Sequence, residues 1–370
     1  MERESSKKDI TFYWGAATSS YQVEGGNHND WSEFEREHHL TESGLASDHY
    51  HRFRDDFEIA KDLGHNAHRF SIEWSRIEPR EGEFDEKEIQ HYRDVVTALR
   101  ERGLEPFVTL WHWTVPLWFR DQGGWTSKKA PGQFARLAGR MADALPDVRF
   151  WITLNEPNVY TAHGYLRGNW PPGKKWALMQ YRTANRMLAS AHKKARVVIR
   201  QKNKNAEVGI TQNVIWFSRR GSWLKDFFFN HYFVRLIGGH QDFLGINYYF
   251  SDRGTGQYSD TSWSIDPEGL GHALNTMARY KKPIYIFENG IADAKDDKRG
   301  EFILSHVGSM KDAMHNGCDV RGYFYWSLID NFEWDKGFGP RFGLVEINYE
   351  TQERHVRKSA LAYKQIIEGL

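Results

Sequence analysis

The chain has 370 residues, enough for two domains or for one large α/β barrel. Its 50 Lys and Arg balance 49 Asp and Glu, and the net charge of +1 gives no reason to expect nucleic acid or an anionic membrane as partner. No apolar run approaches the ~18 residues of a membrane span. Met1–Asp9 is charged with no apolar segment behind it, so no secretory signal is expected, and the single cysteine, Cys318, suits a reducing cytoplasm.

The elements follow in a regular alternation. Phe12 to Ala17 reads as a strand, and helical spacing follows at Phe53, Phe57, Ala60 and Leu63 until Gly64. Ala67 to Ile72 is a second strand, then Ile89, Tyr92, Val96 and Leu99 mark a helix stopped by Gly103. Pro106 to Trp111 is the third strand, and Pro131 opens a helix through Leu145. Phe150–Leu154 is the fourth strand, with a long helix over roughly 179–201. Strands at Glu207–Val214, Asp242–Tyr249, Pro283–Phe287 and Val320–Leu328 complete eight. Helices are expected through Leu270–Met277, Ile303–Met314 and from Lys358, and Gly254–Asp260 reads as a surface loop. Eight buried strands alternating with amphipathic helices predict a single-domain (β/α)8 TIM barrel. An open doubly wound sheet is the alternative, but no Gly-x-Gly-x-x-Gly follows the first strand.

In a parallel barrel the chemistry sits at the C-terminal ends of the strands. Two of those ends share a grammar: Phe150 to Leu154 leads to Asn155-Glu156-Pro157, and Ile284 to Phe287 leads to Glu288-Asn289-Gly290. A charge at the end of a buried strand is costly without a partner or a task. Either glutamate alone could be a cap at a wet rim; a matched pair suggests two carboxyls working on one bond. The other ends offer Gln22, Arg69, Glu73, His112, Trp113, Asn247, Tyr249, Trp326, Glu333 and Trp334. Amides, an imidazole, carboxylates and indoles suit a neutral polyol, since Trp has a flat apolar face and one N–H donor. The composition agrees, with 15 Trp, 17 Tyr and 23 Phe. His49 and His51, like His38 and His39, lack metal-ligand spacing with a third ligand and read as loop histidines, so no metal or cofactor is expected.

At this point the chain resembles glycoside hydrolase family 1, the β-glucosidase family, over nearly its whole length. The matching stretches are Tyr13 to Gly25, Arg69-Phe70-Ser71-Ile72, His112-Trp113, Thr153 to Pro157, Leu244 to Tyr249, Glu288-Asn289-Gly290 and Gly322 to Tyr349. The resemblance implies a barrel enzyme that hydrolyses small β-glycosides with retention, Glu156 as acid/base and Glu288 as nucleophile. In such chemistry the two carboxyls lie about 5–5.5 Å apart. It implies that Arg69, Asn155 and Tyr249 support them, and that Gln22, His112, Trp113, Asn247, Trp326, Glu333, Trp334 and Phe342 bind substrate. The carboxylate at Glu333 disfavours a phosphorylated glycone. A transglycosylase, or a non-catalytic sugar-binding protein, shares much of this pattern. The chain departs from the family in having Phe287 where threonine usually precedes the nucleophile. It is also short between strands five and six, which predicts an open aglycone side.

Overall fold

The computed structural model describes residues 11–369; the charged Met1–Asp9 segment therefore lies outside the described residues. Eight parallel strands close into a barrel in sequence order. They are β1 Tyr13–Ala17, β2 Ala67–Ser71, β3 Glu105–Thr109, β4 Phe150–Asn155, β5 Glu207–Asn213, β6 Leu244–Asn247, β7 Ile284–Asn289 and β8 Val320–Trp326. Closure is direct: β1 pairs with β8 from Tyr13↔Gly322 to Ala17↔Trp326. An open doubly wound sheet is excluded.

The strands are buried on both faces, which is why they read as continuous apolar runs. One face builds a small interior core of Phe107, Phe150, Phe243, Tyr285, Phe287 and Phe324. Phe107 and Phe150 stack there with centroids 4.2 Å apart. The other face meets the surrounding helices, whose signals are local. Asp85 caps Glu86–Glu101 by accepting from the N–H groups of Lys87 and Glu88. Asp266 and Pro267 start Pro267–Ala278 in the same way, with proline where no N–H is needed.

Several strand boundaries differ from the sequence expectation, among them the end of β8, at Trp326 and not Leu328. β3 ends at Thr109 and β6 at Asn247, each two residues early, whereas β7 continues to Asn289. The register shifts between β4 and β5 past Ile152, between β6 and β7 past Ile246, and between β7 and β8 past Ile286. An extra residue at a strand end re-aims the side chains that follow. These shifts fall on the ends that carry Glu156 and Glu288.

The histidine expectation needs one correction. His49 and His51 are not in a loop but in the helix His49–Asp62. His49 is buried, and its Nδ1 lies 2.7 Å from Asp56 Oδ2 one side of that helix down. His51 sits on Asp48 at 2.7 Å. His38 and His39 do lie in the turn after Asp30–Glu37. Gly254–Asp260 is a loop, as expected.

Candidate active site

Glu288 is the fifth residue of β7, and Glu156 follows the last residue of β4. Both line one cavity of about 230 Å³ at the C-terminal end of the barrel. Glu156 has left-handed backbone (φ 44°, ψ 56°) and leads directly into the helix Pro157–Tyr165. Trp113 and Trp334, also on the cavity wall, have φ of 78° and 53°. Left-handed backbone costs a non-glycine residue about 1–3 kcal/mol and persists where the surroundings over-determine it.

The two carboxyls sit in different environments. Arg69, fully buried, donates from Nη1 to Glu288 Oε1. The Tyr249 hydroxyl donates to Glu288 Oε2 at 2.6 Å. Glu288 is thus held as an anion between a cation and a phenol. Arg69 is itself placed by Thr109 Oγ1 at 3.1 Å and Asn155 Oδ1 at 2.6 Å. Its guanidinium lies 5.4 Å from the Phe287 ring centroid, so the unusual phenylalanine forms the floor under the ion pair.

Among the described residues no cation pairs with Glu156. Asn213 and Asn247 donate to its Oε1 at 2.9 and 2.7 Å. Burial first, and then the charge of Glu288, push its pKa up to about 8. The carboxyl is therefore protonated at neutral pH. Both sites are joined through amides, because Asn247 also reaches Asn155 Oδ1 at 3.4 Å and Asn155 is held by Arg69.

The remaining wall is aromatic and polar. Asn155 Nδ2 donates to His112 Nε2 at 3.1 Å. Burial and the nearby Arg69 hold His112 well below its ordinary pKa, so the ring is neutral and carries its proton on Nδ1. Trp113 Nε1 donates to the Asn155 carbonyl at 3.1 Å. Gln22 donates to the Asn331 side chain and the Phe332 carbonyl at 2.9 Å each, and to Glu333 Oε2 at 3.2 Å. Glu333 is only partly covered, yet burial and then Glu288 push its pKa up to about 8 against the opposing charge of Lys336. Trp326 lies nearly parallel to His112, with centroids 6.0 Å apart.

Of the expected residues, Gln22, His112, Trp113, Glu156, Tyr249, Glu288, Trp326, Glu333 and Trp334 line the cavity. Arg69, Asn155 and Asn247 stand behind it as hydrogen-bond partners of the carboxyls, so Asn247 is a support of Glu156 and not a wall residue. Phe342 is also not on the wall. It is buried, with its ring against those of Tyr249 and Trp263. Glu73 is remote: its carboxylate is taken by Ser20, Asn29, Ser75 and Thr114.

Sequence reading missed Asn213, whose neutral amide at the end of β5 carried no signal of its own. It also missed His163, Arg167, Trp170, Ile215, Phe229, Phe250, Trp263 and Lys336. These residues overturn the expectation of an open side. The connection between β5 and β6 is short, but its one-turn π-helix Phe227–His231 brings Phe229 to the cavity. The segment after β6 adds Phe250 and Trp263, so a wall is rebuilt from shorter parts.

A parallel barrel whose C-terminal face presents an ionised carboxylate and a protonated carboxyl to one sugar-sized, indole-lined cavity is the architecture of a retaining O-glycoside hydrolase. The chain belongs to glycosyl hydrolase family 1: the family model matches residues 6–228 and 253–369. Beta-glucosidase A of Thermotoga maritima is 31% identical over 434 aligned residues, covering 97% of each chain. The 1,4-beta-D-glucan glucohydrolase of Thermotoga neapolitana is 30% identical, again over 97% of both. Among solved structures, the beta-glycosidase from Pyrococcus horikoshii superposes with a TM-score of 0.91 at 36% identity, covering 96% of this chain and 93% of that one. The Thermotoga maritima beta-glucosidase bound to glucoimidazole gives a TM-score of 0.91 at 30% identity, with coverages of 96% and 98%. The unmatched stretch 229–252 contains β6, Asn247 and Tyr249, so the contacts of those two residues with the glutamates come from geometry alone. Among the described residues no helix is long and apolar enough to cross a membrane.

Proposed function

We propose that this single catalytic barrel hydrolyses β-D-glucosides, and β-galactosides or β-fucosides as related substrates, by double displacement. Glu288 attacks the anomeric carbon while Glu156 gives its proton to the departing glycosidic oxygen. Once the glycosyl-enzyme has formed, the charge of Glu288 is gone and the pKa of Glu156 falls. It then takes a proton from the water that releases the sugar. Asn155, held by Arg69, lies beside the anomeric centre as the amide for the sugar 2-hydroxyl. Glu333, Gln22, His112 and Trp113 supply hydrogen bonds to the glycone, and Trp326 and Trp334 its apolar platforms.

The observation that carries this reading is the contrast between the carboxyls: Glu288 fixed by Arg69 and Tyr249, and Glu156 raised to about 8. The beta-glucosidase names of the relatives support the choice of glycone. The chain's near-neutral balance supports a small-molecule partner over nucleic acid or membrane, and its lone buried thiol a cytoplasmic setting. Transfer to an alcohol in place of water uses the same intermediate.

The test removes the nucleophile. Glu288→Gly is expected to abolish hydrolysis of an aryl β-glucoside while leaving the circular dichroism spectrum intact. Azide in the vacated space then attacks from the same face and yields the α-glucosyl azide. Recovery of a product with retained configuration would take the nucleophile role away from Glu288.

A further inference from the structure

Two cations line the mouth of the cavity without an acidic partner. Arg167 and Lys336 are exposed, and among the described residues neither forms an ion pair. Arg167 is nevertheless held in place. Its Nη1 donates to His163 Nε2 at 3.0 Å, and its backbone N–H bonds the Ala162 carbonyl at 2.9 Å. A guanidinium only donates, so His163 accepts on Nε2 and uses Nδ1–H toward Asn169 Oδ1 at 3.1 Å. The ring lies against Trp170 with centroids 4.0 Å apart. Burial and then Arg167 itself lower the His163 pKa to about 4, so this bracket stays neutral at pH 7. An arginine oriented by a neutral ring keeps its charge uncompensated and most of its donors free.

Lys336 closes the short turn Trp334–Lys336, and its ammonium sits 5.5 Å from the Trp263 ring centroid. Lys336 and Arg167 line the same cavity, and the charge of Lys336 reaches both Glu333 and His163. Exposed Asp335 and partly covered Glu333 stand beside Lys336 on the wall. The sequence around Arg167 has the same bias: no Asp or Glu occurs between Glu156 and Glu207, while Arg167, Lys174, Lys175, Arg182 and Arg186 lie within it. The floor differs: Arg69 already pairs with Glu288, and Glu333, raised to about 8, keeps its proton at neutral pH. The floor thus has no free cation for an anionic group, whereas the mouth attracts one. Trp170, Phe229, Phe250 and Trp263 add aromatic surface to the same cavity.

Resting on the glycosidase reading, we propose that this enzyme is built for glycosides whose aglycone is an aromatic ring bearing an anionic group, a carboxylate in particular, with Arg167 and Lys336 receiving that group. The preference belongs to the aglycone; the glycone stays neutral.

The experiment compares para-(carboxymethyl)phenyl β-D-glucoside with its para-(carbamoylmethyl)phenyl analogue. The methylene insulates the phenol, so the two leaving groups have matched acidity and similar shape. At low salt the kcat/KM ratio, carboxylate over amide, is expected to be about 3 to 10, carried by KM, as solvent-exposed charge pairs allow. In 1 M salt, where the Debye length is about 3 Å, it should approach unity. R167Q and K336Q should each lower the ratio, and the double variant should bring it to about 1. A wild-type ratio at or below unity at low salt, or one that neither substitution moves, overturns the proposal. If neither glucoside is cleaved, the hydrolase reading fails separately. Calorimetric affinities of the same two compounds for the wild-type protein then decide the anion subsite, with tighter, salt-sensitive binding of the carboxylate expected.

Discussion

Glu156 and Glu288 show how two identical side chains acquire different chemistry from their neighbours. The kinetic consequence has a definite sign. With a pKa of about 8, Glu156 keeps its proton through neutral pH and loses it above that value, so kcat/KM should fall on the basic side near pH 8. Glu156→Gln should erase that basic limb. It should spare the glycosylation step for aryl glucosides with good leaving groups, stall release of the glycosyl-enzyme, and nearly abolish turnover of alkyl glucosides. Rates on both substrate kinds, measured from pH 5 to 9, check this. Equal losses on both, with the basic limb preserved, would assign the proton to another group. Both glutamates were legible because each is a charge closing an apolar strand. Asn213, His163 and Lys336 were not. A neutral amide at a strand end looks like any other, and loop residues have no periodicity that reports which way they face.

At the scale of elements, the eight strands and the long helices were legible, because period and stop signals are local, whereas the shorter helices Asp30–Glu37 and Pro157–Tyr165 were not. The strand ends were less legible. Where a strand loses its partner depends on bulges such as those between Ile246 and Asn247, which arise from packing across the barrel. One such packing explains the unusual Phe287. A Cβ on Gly245 of β6 would come within 2.3 Å of the Phe287 ring and 2.8 Å of the Ile210 carbonyl. Glycine in β6 therefore makes room for the ring that floors the Arg69–Glu288 pair. Gly245→Ala should overpack the barrel interior and cost about 1–3 kcal/mol. The double variant Gly245→Ala, Phe287→Thr should regain part of that loss. Thermal melts of the two single variants and the double one give the coupling directly. A G245A protein melting like wild type would show that ring and glycine are not mutually required. The wall between β5 and β6 shows the opposite limit: a shortened connection looked open in sequence, since chain length does not reveal that a π-helix turns Phe229 inward.

Across the whole molecule, buried titratable groups set an uncommon pH dependence of stability. Glu24 is raised to about 7, and Asp30, Glu156 and Glu333 to about 8, chiefly by burial. Between their ordinary values near 4 and these raised ones, the folded chain binds more protons than the unfolded chain. Stability from these groups therefore falls as pH rises through that window. Burial lowers His65, His91 and His306 to about 3, and His163 and His192 to about 4. For them the unfolded chain binds the extra protons up to the ordinary value of 6.5, and stability rises with pH until then. The two sets oppose each other between about pH 4.5 and 6.5, and above 6.5 the acids act alone. The Tm should thus peak in that interval and decline toward pH 8, as a melting series from pH 4 to 9 will read. A Tm that climbs from pH 6.5 to 8 would contradict the burial of these acids.

The closure of the barrel also has a consequence for how the protein is born. β1 finds one of its two neighbours in β8, and the Tyr363 hydroxyl lies between the carbonyls of Gly15 and Tyr323, at 2.9 and 3.2 Å, across that seam. The first strand to leave the ribosome thus waits for nearly the last. At roughly 5–20 residues per second, that interval is on the order of 15–60 s, during which one edge of β1 stays unsealed. Translation speed and the chaperones at the exit tunnel therefore become part of this enzyme's folding, although neither leaves a mark on the finished barrel.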